Sequence, residues 1–189
     1  MASAGSAENC HEVEALILGA GVCGVAAGVG LLQAGIEDFV IVERDERIGG
    51  TWHFNTYPGC AVDIPSHVYC FSYTLNPNWS RVYATRAELE QYIGQVVDDF
   101  GLRDKVHVNT EVIDARWDSG DHRWHISTNR DTYRARFFVI APGPLHEPSI
   151  PPLPGRDTFQ GQSFHSSNWP VDLDLTGREV VAIGTGASA

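Results

Sequence analysis

A short apolar run, Val13 to Leu18, leads straight into Gly19-Ala-Gly-Val-Cys-Gly24, and no other junction limits the fold of this chain so strongly. Glycines at these three spacings permit a tight turn, close approach of backbone N–H groups to a pyrophosphate, and close packing of a following helix on the strand. An Ala/Val/Gly/Leu-rich stretch then stops near Gly35, and Phe39-Val-Ile-Val leads to Glu43. Strand, glycine turn, helix and strand make a βαβ unit, which requires a parallel sheet. Gly19, Gly21, Cys23 and Gly24 therefore line a nucleotide loop at a helix N-terminus, whose partial positive charge favours an anion. Glu43, roughly 20 residues on, supplies a carboxylate for a ribose diol and would repel a 2′-phosphate, so this first site suits FAD or NAD rather than NADP.

The remaining pattern extends the α/β reading to a doubly wound, Rossmann-like fold. Thr85 and Glu88 stand at capping-box spacing ahead of a helix over 86–100, with Leu89, Ile93, Val96, Val97 and Phe100 on one face. Four strands are predicted in 106–108, 111–117, 124–128 and 133–140, with a turn at Ser119-Gly120-Asp121, as a small antiparallel sheet inserted into the doubly wound fold. Five prolines between Pro144 and Pro154 mark a stiff connector. Glu179 to Ile183 reads as the first strand of a second Rossmann unit, entering the turn with Gly184, Gly186 and Ser188. The expected organisation is a disordered tail over 1–12, a first nucleotide-binding domain over 13–143, a connector over 144–178, and the start of a second nucleotide-binding domain over 179–189, as in the N-terminal part of something longer.

Composition removes several classes. A net charge of -11 provides no clustered Lys and Arg surface for nucleic acid or an anionic membrane. Apolar runs are strand length, short of the ~20 residues of a membrane span, and the N-terminus has no basic region ahead of an apolar one. A cytoplasmic location is expected. Cys10, Cys23, Cys60 and Cys70 lack metal-ligand spacing, so no metal site is expected and reduced thiols are.

Between FAD and NAD, the segment after Glu43 decides. Gly49-Gly50-Thr51-Trp52 places a second glycine turn and an aromatic wall close to the first loop, followed by Tyr57-Pro-Gly-Cys-Ala-Val-Asp63 and Tyr69, where an NAD domain would alternate strands and helices. Farther on, Phe159, Gly161, His165, Trp169 and Pro170 fit F-x-G-x-x-x-H-x-x-x-W-P. These motifs, in this order, resemble class B flavoprotein monooxygenases, and Trp169-Pro170 resembles the Baeyer–Villiger branch.

The resemblance implies that Gly50, Thr51 and Trp52 lie along the flavin, that Asp63 is the catalytic-site carboxylate beside the isoalloxazine, and that Tyr69 and Val112 also touch FAD. It implies that Gly184, Gly186 and Ser188 open the NADP loop, and that His165 and Trp169 couple domain motion. Ala141-Pro142-Gly143 departs from the family's Ala-Thr-Gly, and the proline removes one backbone donor. The implied activity is FAD- and NADPH-dependent insertion of one atom of O2 into a ketone through a C4a-peroxyflavin. The expected active-site Arg is absent from these residues, so the chain alone is expected to be inactive. A non-catalytic FAD-binding fragment, an N- or S-oxygenating flavin monooxygenase and an NAD-linked dehydrogenase stand as alternatives.

Overall fold

The structure, a computed structural model, describes residues 9–145 and 147–188. These form two compact units, one from the described residues of 1–50 and 91–143, the other from those of 51–90 and 144–189. The strands are β1 (Cys10–Leu18), β2 (Phe39–Val42), β3 (Val106–His107), β4 (Val112–Asp118), β5 (Arg123–Thr128) and β6 (Thr132–Ile140). Helices are α1 (Val22–Gln33), α2 (Thr51–Phe54) and α3 (Arg86–Asp99).

All six strands belong to one sheet of the first unit, ordered β3-β2-β1-β6-β5-β4. β1 pairs in parallel with β2 and β6, and β2 with β3, whereas β4, β5 and β6 form an antiparallel meander. The antiparallel insert is thus three strands rather than the expected four and is continuous with the parallel sheet, because the strand expected in it at 106–108 pairs instead in parallel with β2, as β3. β6 is long enough to serve both, pairing Ala135 with Trp124 on one side and Phe137 with Ala15 on the other. A detached insert would leave one edge of β6 unpaired.

The sheet must also curl. Its edge strands β3 and β4 are joined by residues 108–111, which span at most about 17 Å, while five flat inter-strand steps would need about 24 Å. Bonds between the β5–β6 turn and the β3 side of this linker register the curl: Asn129 Nδ2 donates to Asn109 O at 3.4 Å and Arg130 Nη1 to Val108 O at 3.3 Å. Leu16, Val40, Val42, Ile126, Tyr133 and Ala135 form one apolar cluster. α1 packs by Gly28, whose missing Cβ leaves room for Ile41 and Leu102. All four β2 residues are buried, as a parallel strand covered on both faces requires.

Two boundaries differ from expectation. β1 begins at Cys10 because pairing with β6, His11 opposite Tyr133, recruits polar residues that hydropathy alone would not; residues 1–8 of the expected tail lie outside the described residues. Glu179–Ile183 forms no strand, and Val180, Val181 and Ile183 are exposed. A strand exists only through a ladder, and no described strand lies alongside it. Among the described residues no helix is long and apolar enough to cross a membrane.

The α3 start follows the sequence closely. Thr85 N–H and Oγ1 both donate to Glu88 Oε2, at 3.1 and 3.0 Å, and Ser80 N–H donates to Glu88 Oε1 at 3.0 Å. These bonds, with that from Ser80 first, hold the Glu88 carboxyl down at about 2 against an ordinary 4.5. A depressed carboxyl stabilises the fold above its unfolded value and loses that contribution as pH falls from about 4.5 through about 2. Glu88→Gln is expected to cost about 1 kcal/mol at pH 7 and much less at pH 2, as read from urea melts at the two pH values.

Candidate functional site

In the first unit, β1 and β6 run in parallel, and Leu18 and Ile140 end at the same side of the sheet. From β1 the chain crosses to β2 on one side, while β6 lies on the other. This is a switch point of a doubly wound sheet, where ligands bind beyond the carboxyl ends. Gly19–Gly24 and Ala141–Gly143 stand there, tied to the strands by Gly19 N–H to Val42 O at 2.8 Å and Ala141 N–H to Leu18 O at 2.9 Å.

Glycine is required at two of these positions. A Cβ on Gly24 would lie 1.8 Å from Gly19 O, and Gly19 itself has φ +99° with Ala141 O only 2.5 Å from where its Cβ would be. The second glycine pair packs on the first: Gly49 N–H donates to Ala20 O at 3.0 Å, and a Cβ on Gly50 would meet Gly21 Cα at 3.0 Å. α1 starts at Gly21 with no side-chain cap and no acid in its first turn, so its leading N–H groups remain for an anion. Cys23 is exposed in that turn.

Glu43 directly follows β2 and is buried, with Oε2 accepting Ala20 N–H at 2.8 Å and Oε1 accepting Asp45 N–H at 3.0 Å. Each oxygen keeps a second lone pair for a hydroxyl donor. Val112 opens β4, half-buried against the apolar cluster.

The second unit holds the remaining residues. Trp52 is buried on α2, its Nε1–H donating to Tyr69 Oη at 2.9 Å, the two rings edge to face at 5.6 Å. Thr51 begins that turn. Asp63 is exposed, in a loop fixed by Ser66. The wholly buried Ser66 donates from Oγ to Val82 O at 2.8 Å and accepts Ala84 N–H at 2.7 Å. Tyr57 Oη and Ser188 Oγ lie 2.8 Å apart, and burial pushes the Tyr57 phenol up while Ser188 draws it down. Gly184 and Gly186 are exposed. In the fingerprint, His165 Nδ1 accepts Ser167 N–H at 3.2 Å, Trp169 packs edge to face on Phe164 at 5.2 Å, and a Cβ on Gly161 would strike the Phe159 ring at 2.6 Å.

Sequence reading missed Ser66 and the trio His53, Arg86 and Glu90, whose bonds are described below. The four cysteines are free thiols. Asp118, Asp121 and His125 cluster near the β4–β5 turn, but Asp121 Oδ2 already receives Arg134 Nη2 at 2.7 Å, so the guanidinium supplies the positive charge there.

Comparison with known proteins gives the family. The model of the pyridine nucleotide-disulphide oxidoreductase family matches residues 16–189. A Baeyer-Villiger monooxygenase of Streptomyces coelicolor is 46% identical over 183 residues, covering 96% of this chain and 35% of that protein. Cyclohexanone monooxygenase with bound ε-caprolactone superposes with a TM-score of 0.85 at 37% identity, covering 94% of this chain and 36% of that one. OTEMO in complex with FAD and NADP does so with a TM-score of 0.83 at 34% identity, covering 93% and 35%. The chain spans about a third of the length of the curated relatives it matches. It belongs to the pyridine nucleotide-disulphide oxidoreductase family and, within it, is similar throughout to the N-terminal third of Baeyer–Villiger-type flavin monooxygenases.

Proposed function

We propose that these residues bind FAD and serve an NADPH-dependent monooxygenase that inserts one oxygen atom of O2 into a ketone. The observation that carries the reading is the uncapped start of α1 at the switch point, with Glu43 buried beneath it: a fixed set of N–H donors for a pyrophosphate beside a carboxylate for a ribose. The glycine loop fits such a ligand, since no side chain caps the start of α1 and no acid stands in its first turn to oppose an anion.

When bound, FAD would accept electrons from NADPH and activate O2, chemistry that no side chain here provides. The chain's own residues bind and orient. N–H groups of Gly21 to Gly24 hold the pyrophosphate, and the spare lone pairs of Glu43 accept ribose hydroxyls. Gly50, Thr51, Trp52 and Tyr69 form the flavin-side wall, with Val112 a further FAD contact. Asp63, exposed, is available to hold an active-site cation. Gly184, Gly186 and Ser188 present backbone to NADP, while His165 and Trp169 couple the two nucleotide sites. The matching domain plan is FAD binding by 13–143, a connector over 144–178 and NADP binding from 179 onward.

The test titrates the chain with FAD and follows the flavin band and its fluorescence, then measures NADPH oxidation by the whole gene product with ketones, amines and sulfides. FAD-dependent NADPH oxidation stimulated by ketones, with one atom of labelled O2 recovered in an ester or lactone, is the expected result. Failure to take up FAD ends the reading, and stimulation by amines or sulfides alone moves it to heteroatom oxygenation.

A further inference from the structure

α2 is a single turn of four residues, Thr51–Phe54, and one turn cannot sustain itself, because nucleation fixes several dihedrals for one hydrogen bond. Side chains supply what it lacks. Asn55 Nδ2 donates to Thr51 O at 3.0 Å, and Arg86 Nη1 donates to Trp52 O at 3.1 Å and His53 O at 2.9 Å. The same Nη1 lies 3.2 Å from Glu90 Oε2, and the other Glu90 oxygen lies 2.9 Å from His53 Nδ1.

An Arg–Glu pair at i,i+4 on a helix is ordinarily a minor surface contact. This one differs in two respects. Its members are largely covered, with 27% and 26% of the Arg86 and Glu90 side chains exposed and 18% of His53. The guanidinium also turns away from its own helix to bond carbonyls of another element. Trp52 is thereby held from both ends, its carbonyl by Arg86 and its indole N–H by Tyr69.

We infer that Arg86, braced by Glu90 and His53, is a positioning residue that sets the Trp52–Tyr69 pair against the bound flavin. This rests on the FAD reading above. Arg86 would touch no cofactor atom, so its effect is geometric: without it, α2 loses both C-terminal acceptor bonds and Trp52 gains rotational freedom.

The test compares wild type, Arg86→Ala, Arg86→Lys and Glu88→Gln, each titrated with FAD and examined by visible circular dichroism of the bound flavin. Arg86→Ala is expected to bind FAD about tenfold more weakly, from loss of two bonds to backbone acceptors, and to reduce the flavin dichroism. Arg86→Lys, with three N–H donors on one nitrogen, should recover much of that signal. Glu88→Gln weakens the same end of α3 and should lower the melting temperature with the dichroism unchanged. If Arg86→Ala does not fold, His53→Phe, which removes the bond to Glu90 and keeps the bulk, is expected to reduce the dichroism alone. A wild type that takes up no FAD overturns the FAD reading itself. With FAD bound, an unchanged spectrum in Arg86→Ala, or in His53→Phe where Arg86→Ala does not fold, overturns the positioning role, as does an equal change in Glu88→Gln.

Discussion

Gly24→Ala is expected to produce a chain that melts far below wild type and no longer holds FAD. The new methyl would lie 1.8 Å from Gly19 O and 2.9 Å from Gly19 C, both backbone atoms. Neither can yield, because Gly19 is anchored by its bond to Val42 O and has Ala141 O 2.5 Å from its own Cβ position. Relief requires α1 to move off β1, which opens the apolar contact beneath it, at a cost of about 3 kcal/mol or more out of a total stability of order 5–15. Gly30→Ala is the control in the same helix. Nothing lies within 4 Å of its Cβ position, so helix propensity should raise stability by about 1 kcal/mol with FAD affinity intact. Thermal melts and a flavin titration decide the matter, and a Gly24→Ala chain with wild-type values for both would refute the packing argument.

Removing the Glu43 carboxylate is the second large effect. Glu43→Ala leaves the buried N–H of Ala20 and the half-buried N–H of Asp45 without their acceptors, and hydrogen bonds to a carboxylate are the costly ones to lose. The expected destabilisation is about 3 kcal/mol, and affinity for ADP-containing ligands should fall by more than about tenfold as the Gly19–Gly24 turn loosens. Glu43→Gln is no rescue, since its amide can satisfy one of the two N–H groups and must point its own donors at the other. Urea denaturation with and without ADP measures both quantities. Equal midpoints for Glu43→Ala and wild type would show the carboxylate to be dispensable.

Much of the geometry of this candidate site was readable in the sequence because its signals are local. Gly19, Gly21, Gly24 and Glu43 sit within one βαβ unit, where spacing alone fixes their places, and the Thr85–Glu88 cap lies within four residues. The continuity of the sheet was not readable, because β6 shows its two sets of partners only after the chain has folded. The 179–183 segment misled for a related reason: β-branched composition says that a segment suits a pleated surface and is silent on whether a neighbour is there. Arg86 looked like an ordinary first-turn residue, since its bonds to Trp52 O and His53 O depend on the approach of α2. Ser66 similarly looked like a loop serine until Val82 and Ala84 came beside it.

The pairing of β1 with β6 has a consequence for biosynthesis. Glu12 and Arg134, opposite each other in that ladder, are 122 residues apart in the chain. At about 5–20 residues per second, the ribosome needs roughly 6 to 24 seconds to deliver β6 after β1 has emerged. Throughout that interval the apolar strand Ala15–Ile17 waits with one naked edge. Newly made chains are therefore most in need of chaperone protection before residue 140 leaves the exit tunnel.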